Sequence, residues 1–164
     1  MAESLSREIS KSTPSSVDDV DRLYRDQAPR MWRALTAYTG SRDVAQDAVA
    51  EAFAQAIARG EGIRSPERWV WRSAYRIAAG ELKRRGSLTE LFADRPVAVD
   101  EPAWEVRAAL AALSPMQRSA VVLHYYAGYP ASEIARITSS TPAAVWVHLS
   151  RGRRRLAQIL EGRR

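Results

Sequence analysis

The sequence predicts an all-α protein built from two small helical domains that are joined by an acidic linker. Apolar residues recur at helical spacing, and no segment alternates polar and apolar residues long enough to suggest a sheet. A stretch with one glycine, two prolines and an acidic excess, 86–102, interrupts the helical pattern. We therefore expect a disordered tail at 1–16, a helical domain at 17–86, a linker at 87–102 and a second helical domain at 103–164.

Three helices are expected in the amino-terminal domain, at 17–39, from Ser41 to Gly60 and from Ser65 to Gly86, with glycine, serine and proline marking their ends. The second helix carries one apolar stripe, formed by Val44, Ala48, Val49, Ala52, Phe53, Ala56 and Ile57. The third helix is expected to turn Trp69, Val70, Ala74, Ile77, Ala78 and Leu82 inward. The first of these, Trp69, is assigned to the core.

The carboxyl-terminal domain is expected to hold a helix-turn-helix. A short helix runs from about 103 to 112, and Ser114 with Gln117 forms a capping box that opens the next helix, which Gly128 ends. A short helix at 133–137, a turn at 139–141 and a final helix from Pro142 towards Leu160 complete the motif. In the last helix the expected buried face is Val145, Leu149, Gly152, Leu156 and Ile159.

Composition excludes several classes of function. The 164 residues carry a formal net charge of +6, which favours a polyanionic partner. Cysteine is absent and there are two histidines, so disulfides, thiolate catalysis and metal sites built from these residues are not expected. No apolar run is long enough to span a bilayer, and no nucleophile or phosphate-cradling motif is present. We expect a cytoplasmic protein that is not an enzyme and that has no cofactor, metal or membrane-inserted segment.

Basic residues cluster in two helices. Arg68, Arg72 and Arg76, which we call the arginine row, lie four apart on the third helix, and like charges at this spacing destabilise an isolated helix. A phosphate backbone would reverse that effect. Trp71 and Tyr75 lie beside the arginine row and could stack on unpaired bases, although a place in the core or at its edge is the commoner use of a single aromatic residue. The last helix carries the second cluster, Arg151, Arg153, Arg154 and Arg155.

The second helix carries the opposite charge. Asp43, Asp47 and Glu51, which we call the acidic ridge, are also four apart. The ridge repels itself, so it fits either a basic protein surface or a solvated helix face.

The amino-terminal motifs resemble region 2 of a bacterial RNA polymerase sigma factor of the extracytoplasmic-function (ECF, group IV) type. Residues 45–53, AQDAVAEAF, are similar to the polymerase-binding segment of that family. Residues 69–74, WVWRSA, resemble the stretch that leads into promoter melting and recognition of the −10 element. Residues 82–85, LKRR, resemble its basic end.

The carboxyl-terminal motifs resemble region 4 of the same family. Residues 113–118, LSPMQR, look like the opening of region 4, and residues 128–135 resemble the helix before the turn. The segment at 145–153 resembles the recognition helix for the −35 element. Each short match is weak, but the ordered set covers nearly the whole chain.

The resemblance implies a role for each motif. Core polymerase would contact Asp47, Val49, Glu51 and Phe53. The −10 element and the melted strand would contact Arg68, Trp71, Arg72, Tyr75, Arg76 and Arg84. The −35 element would contact Ala143, Trp146, Val147, Ser150, Arg151, Arg153 and Arg154. Core polymerase, promoter DNA and an anti-sigma factor are the implied partners.

Several positions depart from the family pattern. Arg76 and Gly80 stand where asparagine and aspartate are common, and the recognition helix has Ala144, Trp146 and His148 in place of threonine, lysine and arginine. Two other readings therefore stay open. One is a helix-turn-helix regulator that acts without polymerase, and the other is a sigma-like adaptor that has lost promoter recognition.

Overall fold

A computed structural model describes residues 17–85 and 101–162, with side chains described from Glu105 onward in the second segment. These residues form seven α-helices and no strand, which confirms the all-α prediction. The helices are α1 Val17–Thr39, α2 Arg42–Arg59, α3 Pro66–Arg85, α4 Glu101–Ala111, α5 Pro115–Tyr125, α6 Ala131–Thr138 and α7 Pro142–Glu161, with a short 3-10 turn at Gly60–Gly62. The expected tail at 1–16 and most of the expected linker lie outside the described residues.

The first three helices form one bundle. Gly40 adopts a φ of 75° between α1 and α2, and the Ser41 hydroxyl accepts a hydrogen bond from the Val44 amide to begin α2. Most of the expected stripe on α2 is buried, but Ile57, in the last turn, is 51% exposed. Small and medium side chains from all three helices fill the interior, which includes Met31, Leu35, Val49, Val70 and Ala74.

The assignment of Trp69 to the core is wrong. Trp69 is only partly buried, and the Arg59 guanidinium lies 5.4 Å from its ring centroid. The same helix instead buries Trp71, which is 1% exposed. Ile77 and Leu82, also expected inside, are partly buried.

The remaining helices form the second bundle, and its local signals agree closely with expectation. Ser114 and Gln117 form the complete capping box at the start of α5. Helix α5 ends at Tyr125, before Gly128, whose φ of 75° carries the chain into the next turn. Helix α4 begins at Glu101, earlier than expected, because a proline at 102 is tolerated in a first helical turn. Helix α6 is also longer than the expected 133–137.

The two bundles pack against each other, so that one hydrophobic core runs through both. Helix α1 contacts α4 and α5, and α3 contacts α6. We call this contact the seam. Its central side chains are Arg30, Trp71 and Tyr75 from the first bundle and Arg118, Ser119 and Tyr129 from the second. The seam brings together residues that are far apart in the sequence, and nothing in the helical spacing predicted it.

Candidate protein and nucleic-acid interfaces

The helix-turn-helix consists of α6 and α7. Thr141 begins α7 by accepting a hydrogen bond from the Ala144 amide, and Pro142 occupies the first turn. The turn is closed by Ser139 in the left-handed conformation, at a φ of 54°. Val145, Leu149 and Gly152 form the buried side of α7. Because the buried side is narrow, most of the surface of α7 is exposed to solvent.

The open side of α7 holds every residue that the sequence assigned to the −35 element. All seven are exposed, namely Ala143, Trp146, Val147, Ser150, Arg151, Arg153 and Arg154. Trp146 is 57% exposed and its ring packs edge-on near His124. Helix α7 therefore presents an apolar and small-residue patch near its start and a basic patch near its end, which is the arrangement that a major groove with flanking phosphates can accept.

The acidic ridge lies on the outer side of α2. Asp43, Asp47 and Glu51 are all exposed, and Gln55 donates a hydrogen bond to Glu51 at 2.8 Å. Val49 and Phe53, which the sequence grouped with the ridge, are buried instead. The Tyr24 ring packs edge-on against Phe53 with the centroids 5.0 Å apart. In this arrangement Val49 and Phe53 hold α2 in place, and the carboxylates are the side chains that a partner can reach.

The basic residues of α3 are exposed as expected. Arg72 and Arg76 of the arginine row face solvent. Arg68, whose side chain is 59% exposed, lies 3.4 Å from a carboxylate oxygen of Glu133 on α6, whose side chain is 15% exposed. Arg84 pairs with Glu81, whose carboxyl pKa is held below its ordinary value by hydrogen bonds from Arg85 and Arg84.

Comparison with known proteins was consistent with the sequence motifs. Residues 103–156 match the model of the family described as sigma-70, region 4. A solved structure of the sigma factor RpoE in complex with the anti-sigma factor NepR, from Bartonella quintana, has the same fold, with a TM-score of 0.73. The two chains are 21% identical, and the match covers 90% of this chain and 100% of that one.

The family match is confined to the carboxyl-terminal bundle, and the likeness to RpoE extends the shared fold to the first bundle. Residues 103–156, which match the region 4 model, are called region 4 below. No match was found among curated protein sequences.

Two aromatic residues that the sequence assigned to the melted strand lie in the seam. Trp71 is 1% exposed, and its indole nitrogen donates a hydrogen bond to the Gln27 side chain at 3.1 Å. Its ring packs edge-on against Tyr129 of region 4, with the centroids 5.8 Å apart. Tyr75 is 7% exposed and its hydroxyl is hydrogen-bonded to Ser119 of region 4. Neither ring is accessible to a DNA strand in this arrangement.

Arg30 joins the two regions at the centre of the seam. Its guanidinium donates hydrogen bonds to the backbone carbonyl oxygens of Tyr126 and Ala127 and lies 5.9 Å from the Trp71 ring centroid. A Cβ atom added at Gly128 would lie 2.7 Å from the same guanidinium. The absence of a side chain at Gly128 therefore makes room for Arg30, besides permitting the positive φ.

Arg118 lies in the seam, and no carboxylate of the described residues pairs with it. It is 2% exposed, and its guanidinium carbon lies 5.2 Å from the Tyr38 ring centroid. Its Nε and Nη1 atoms have no hydrogen-bond partner among the described residues. Burial lowers the pKa of Arg118 below its ordinary value and raises the pKa of Tyr75 above its own. A buried cation with this few partners is costly to hold.

The sequence singles out Trp71 and Tyr75 but predicts no contact between the two bundles. Arg118 and Tyr129 fall within motifs of the second bundle without an expected partner, and no pattern marks Arg30. A helical period indicates which side of a helix is buried but not which domain covers it, so a single sequence offered no direct signal for these contacts.

Within 17–85 and 101–162 no cluster of three or more potential metal-ligating side chains occurs. Across the same part of the chain no helix has the length and apolar character required to cross a bilayer.

Proposed function

We propose that the protein is a sigma factor of the extracytoplasmic-function type, which binds core RNA polymerase and directs transcription from specific promoters. The observation that carries the proposal is the open face of α7, in a domain that matches sigma-70 region 4. Such a factor acts where the polymerase is, in the cytoplasm, and as a binding protein without catalytic activity of its own.

The proposed polymerase contact is the acidic ridge on α2. Asp47 and Glu51 are exposed and four residues apart, so one basic surface can contact both carboxylates. Val49 and Phe53 support the contact from inside the bundle. Promoter DNA would be held by α7 at the −35 element and by the basic side of α3, with Arg68, Arg72, Arg76 and Arg84, at the −10 element.

Charge reversal tests the polymerase contact. In pull-downs with purified core enzyme, Asp47→Lys combined with Glu51→Lys is expected to weaken binding by tenfold or more, on the order of two close charge pairs. Asp18→Lys combined with Asp26→Lys is the matched control, because it changes the net charge by the same amount at two exposed carboxylates on α1, outside the acidic ridge. Equal core binding by the ridge variant and the control would remove the acidic ridge from the interface.

Transcription tests the function as a whole. Core polymerase with the protein is expected to give discrete run-off transcripts from a small subset of a promoter library, and core alone is not. If the protein neither binds core nor produces such transcripts, the proposal is wrong.

A helix-turn-helix regulator that acts without polymerase remains the second candidate, since the open face of α7 needs no other protein to be accessible. A gel shift separates the two. A regulator binds its duplex tightly and alone, usually as a dimer on a palindrome, whereas the sigma factor proposed here requires core enzyme for specific binding.

A further inference from the structure

A groove of 490 Å³ lies where α1 and the start of α2 meet α4 and the end of α5. We call it the α1–α4 groove, and it is defined here by six of its lining residues, Trp32, Arg33, Arg42, Val106, Arg107 and Tyr126. Its volume falls within the roughly 300–1,000 Å³ that is usual for small-molecule sites. None of the described residues that line the groove has been assigned to polymerase or to DNA.

The three arginines of the groove, Arg33, Arg42 and Arg107, have no carboxylate beside them in its described lining. Burial lowers the pKa of Arg107, and the positive charge of Arg42 lowers it further, so these two guanidinium groups repel each other. Arg107 donates a hydrogen bond to the Gly40 carbonyl oxygen at 2.7 Å, but its buried Nε atom has no hydrogen-bond partner among the described residues. An anion in the groove would offset this repulsion.

The rest of the described lining is largely apolar. Val106 and Tyr126 are each 37% exposed, and Trp32 is partly buried beside the Tyr24 ring. This surface suits a flat apolar body that carries negative charge, because the body would cover the apolar side chains while the charge meets the guanidinium groups. A small inorganic ion would use the arginines alone and leave the apolar side chains in water.

We propose that the α1–α4 groove binds a nucleoside diphosphate, with the phosphates at the three arginines and the base against Trp32, Val106 and Tyr126. A diphosphate carries about three negative charges, which matches the number of arginines, whereas a single carboxylate would leave two of them without a partner. The site goes beyond the proposed function, because neither polymerase nor DNA takes part in it. Both bundles line the groove, so a bound nucleotide contacts both of them.

Isothermal titration calorimetry with the whole chain tests the class of ligand. ADP and GDP supply a base together with the phosphates, pyrophosphate supplies the charge alone, and adenosine and guanosine supply the base alone. At least one diphosphate is expected to bind about tenfold more tightly than pyrophosphate and than its own nucleoside, because only the nucleotide uses both parts of the groove. The same diphosphate at a large excess over its Kd should raise Tm by roughly 5 °C, since it binds the folded chain.

Arg42→Gln tests the contact with the phosphates. Arg42 is exposed, so its replacement should leave the fold intact, and the affinity for the diphosphate should fall about tenfold with the loss of one charged hydrogen-bond donor. Arg155→Gln is the matched control, because it removes the same charge from an exposed position on α7 that does not line the groove. The control should change the affinity by less than about twofold, because exposed charges far from the ligand are screened by salt.

Tyr126→Ala tests the contact with the base. It should weaken diphosphate binding roughly three- to tenfold and leave pyrophosphate binding unchanged, because the ring would contact the base and not the phosphates. Tyr125→Ala is the matched control, since Tyr125 is the neighbouring residue, is 55% exposed and does not line the groove. Circular dichroism checks that each variant folds, and Val106→Ser replaces Tyr126→Ala if that variant loses helix.

The proposal is wrong if neither diphosphate binds at millimolar concentration or if pyrophosphate binds as tightly as both of them, since the groove would then recognise charge alone. It is also wrong if Arg155→Gln lowers the affinity as much as Arg42→Gln, which would indicate general attraction to a basic chain. A loss in Tyr126→Ala no larger than in Tyr125→Ala would equally overturn it. Core binding and run-off transcription are measured without the nucleotide site, so these results leave the proposed function standing.

Discussion

Helices α3 and α7 have the same length and a similar arginine content, yet they differ in which side chains are buried. Both are 20 residues long, and both were expected to contact DNA through one side. On α7 that side is open along the whole helix, whereas on α3 the arginines are open and the aromatic residues are covered by region 4. Charged side chains can remain exposed, whereas the apolar rings of Trp71 and Tyr75 gain stability by leaving water against the second bundle.

The difference follows from how many sides of each helix are packed. Helix α7 buries one narrow stripe against its own domain. Helix α3 buries Val70, Ala74 and Ala78 within the first bundle and Trp71 and Tyr75 in the seam, so it packs on two sides. Removing side chains from each helix should therefore have unequal effects on stability.

The largest expected effect is at the two tryptophans. Trp71→Ala empties a site that is 1% exposed and should lower the free energy of unfolding by roughly 3–5 kcal/mol, the range for large aromatic residues in a core. Trp146→Ala, on the open side of α7, should change it by no more than about 0.5 kcal/mol. Urea unfolding followed by circular dichroism measures both, and equal losses would contradict the packing difference between the helices.

The next largest effect on stability is expected when Gly152 and Gly80 are each replaced by alanine. A Cβ atom at Gly152 of α7 would lie 2.9 Å from the Val121 Cγ2 atom, inside the packed stripe, so Gly152→Ala should destabilise by roughly 1–3 kcal/mol. At Gly80 of α3 nothing lies within 4 Å, and Gly80→Ala should stabilise by roughly 0.5–1 kcal/mol through helix propensity. Thermal unfolding should show shifts of opposite sign, and a rise in Tm for Gly152→Ala would mean that the close approach at Gly152 does not limit packing.

These contrasts also show how far the sequence could predict the molecule. Capping signals at Ser41, Ser114 and Thr141 located helix starts, because a helix terminus depends on the few residues around it. The exposed side of α7 was predicted for the same reason, since one amphipathic period determines it. The burial of Trp71 instead of Trp69 was not predictable in this way, because it depends on Tyr129, which is distant in the sequence.

The seam should respond to alkaline pH. Burial raises the pKa of Tyr75 and of Tyr129, so both phenols favour the protonated form in the folded protein. Unfolded tyrosines ionise near pH 10, and the stability that these groups contribute is therefore complete below pH 10 and is lost as pH rises above it. Urea unfolding at pH 8 and at pH 11 should show the loss.

Two phenylalanine variants isolate the seam in that measurement. Tyr75→Phe removes a buried phenol and should make the alkaline loss smaller, although stability at pH 8 also falls with the hydrogen bond to Ser119. Tyr125→Phe removes a phenol that is 55% exposed and should leave the alkaline loss unchanged. If Tyr125→Phe reduced the loss as much as Tyr75→Phe, the pH response would not come from the seam.

The smallest effect on the free energy of unfolding is expected for an arginine at the basic end of α7. The same substitution should still change the affinity for DNA. Arg153 is exposed, and its only described polar contact is a 3.5 Å approach to the Tyr125 hydroxyl, so Arg153→Ala should change the free energy of unfolding by no more than about 0.5 kcal/mol. If Arg153 contacts a phosphate, the slope of log affinity for duplex DNA against log salt should become shallower by about one. Fluorescence anisotropy with duplex at several salt concentrations measures that slope. An unchanged slope would show that Arg153 does not contact a phosphate although it is exposed. The difference between α3 and α7 would then be one of solvent exposure and not of DNA binding.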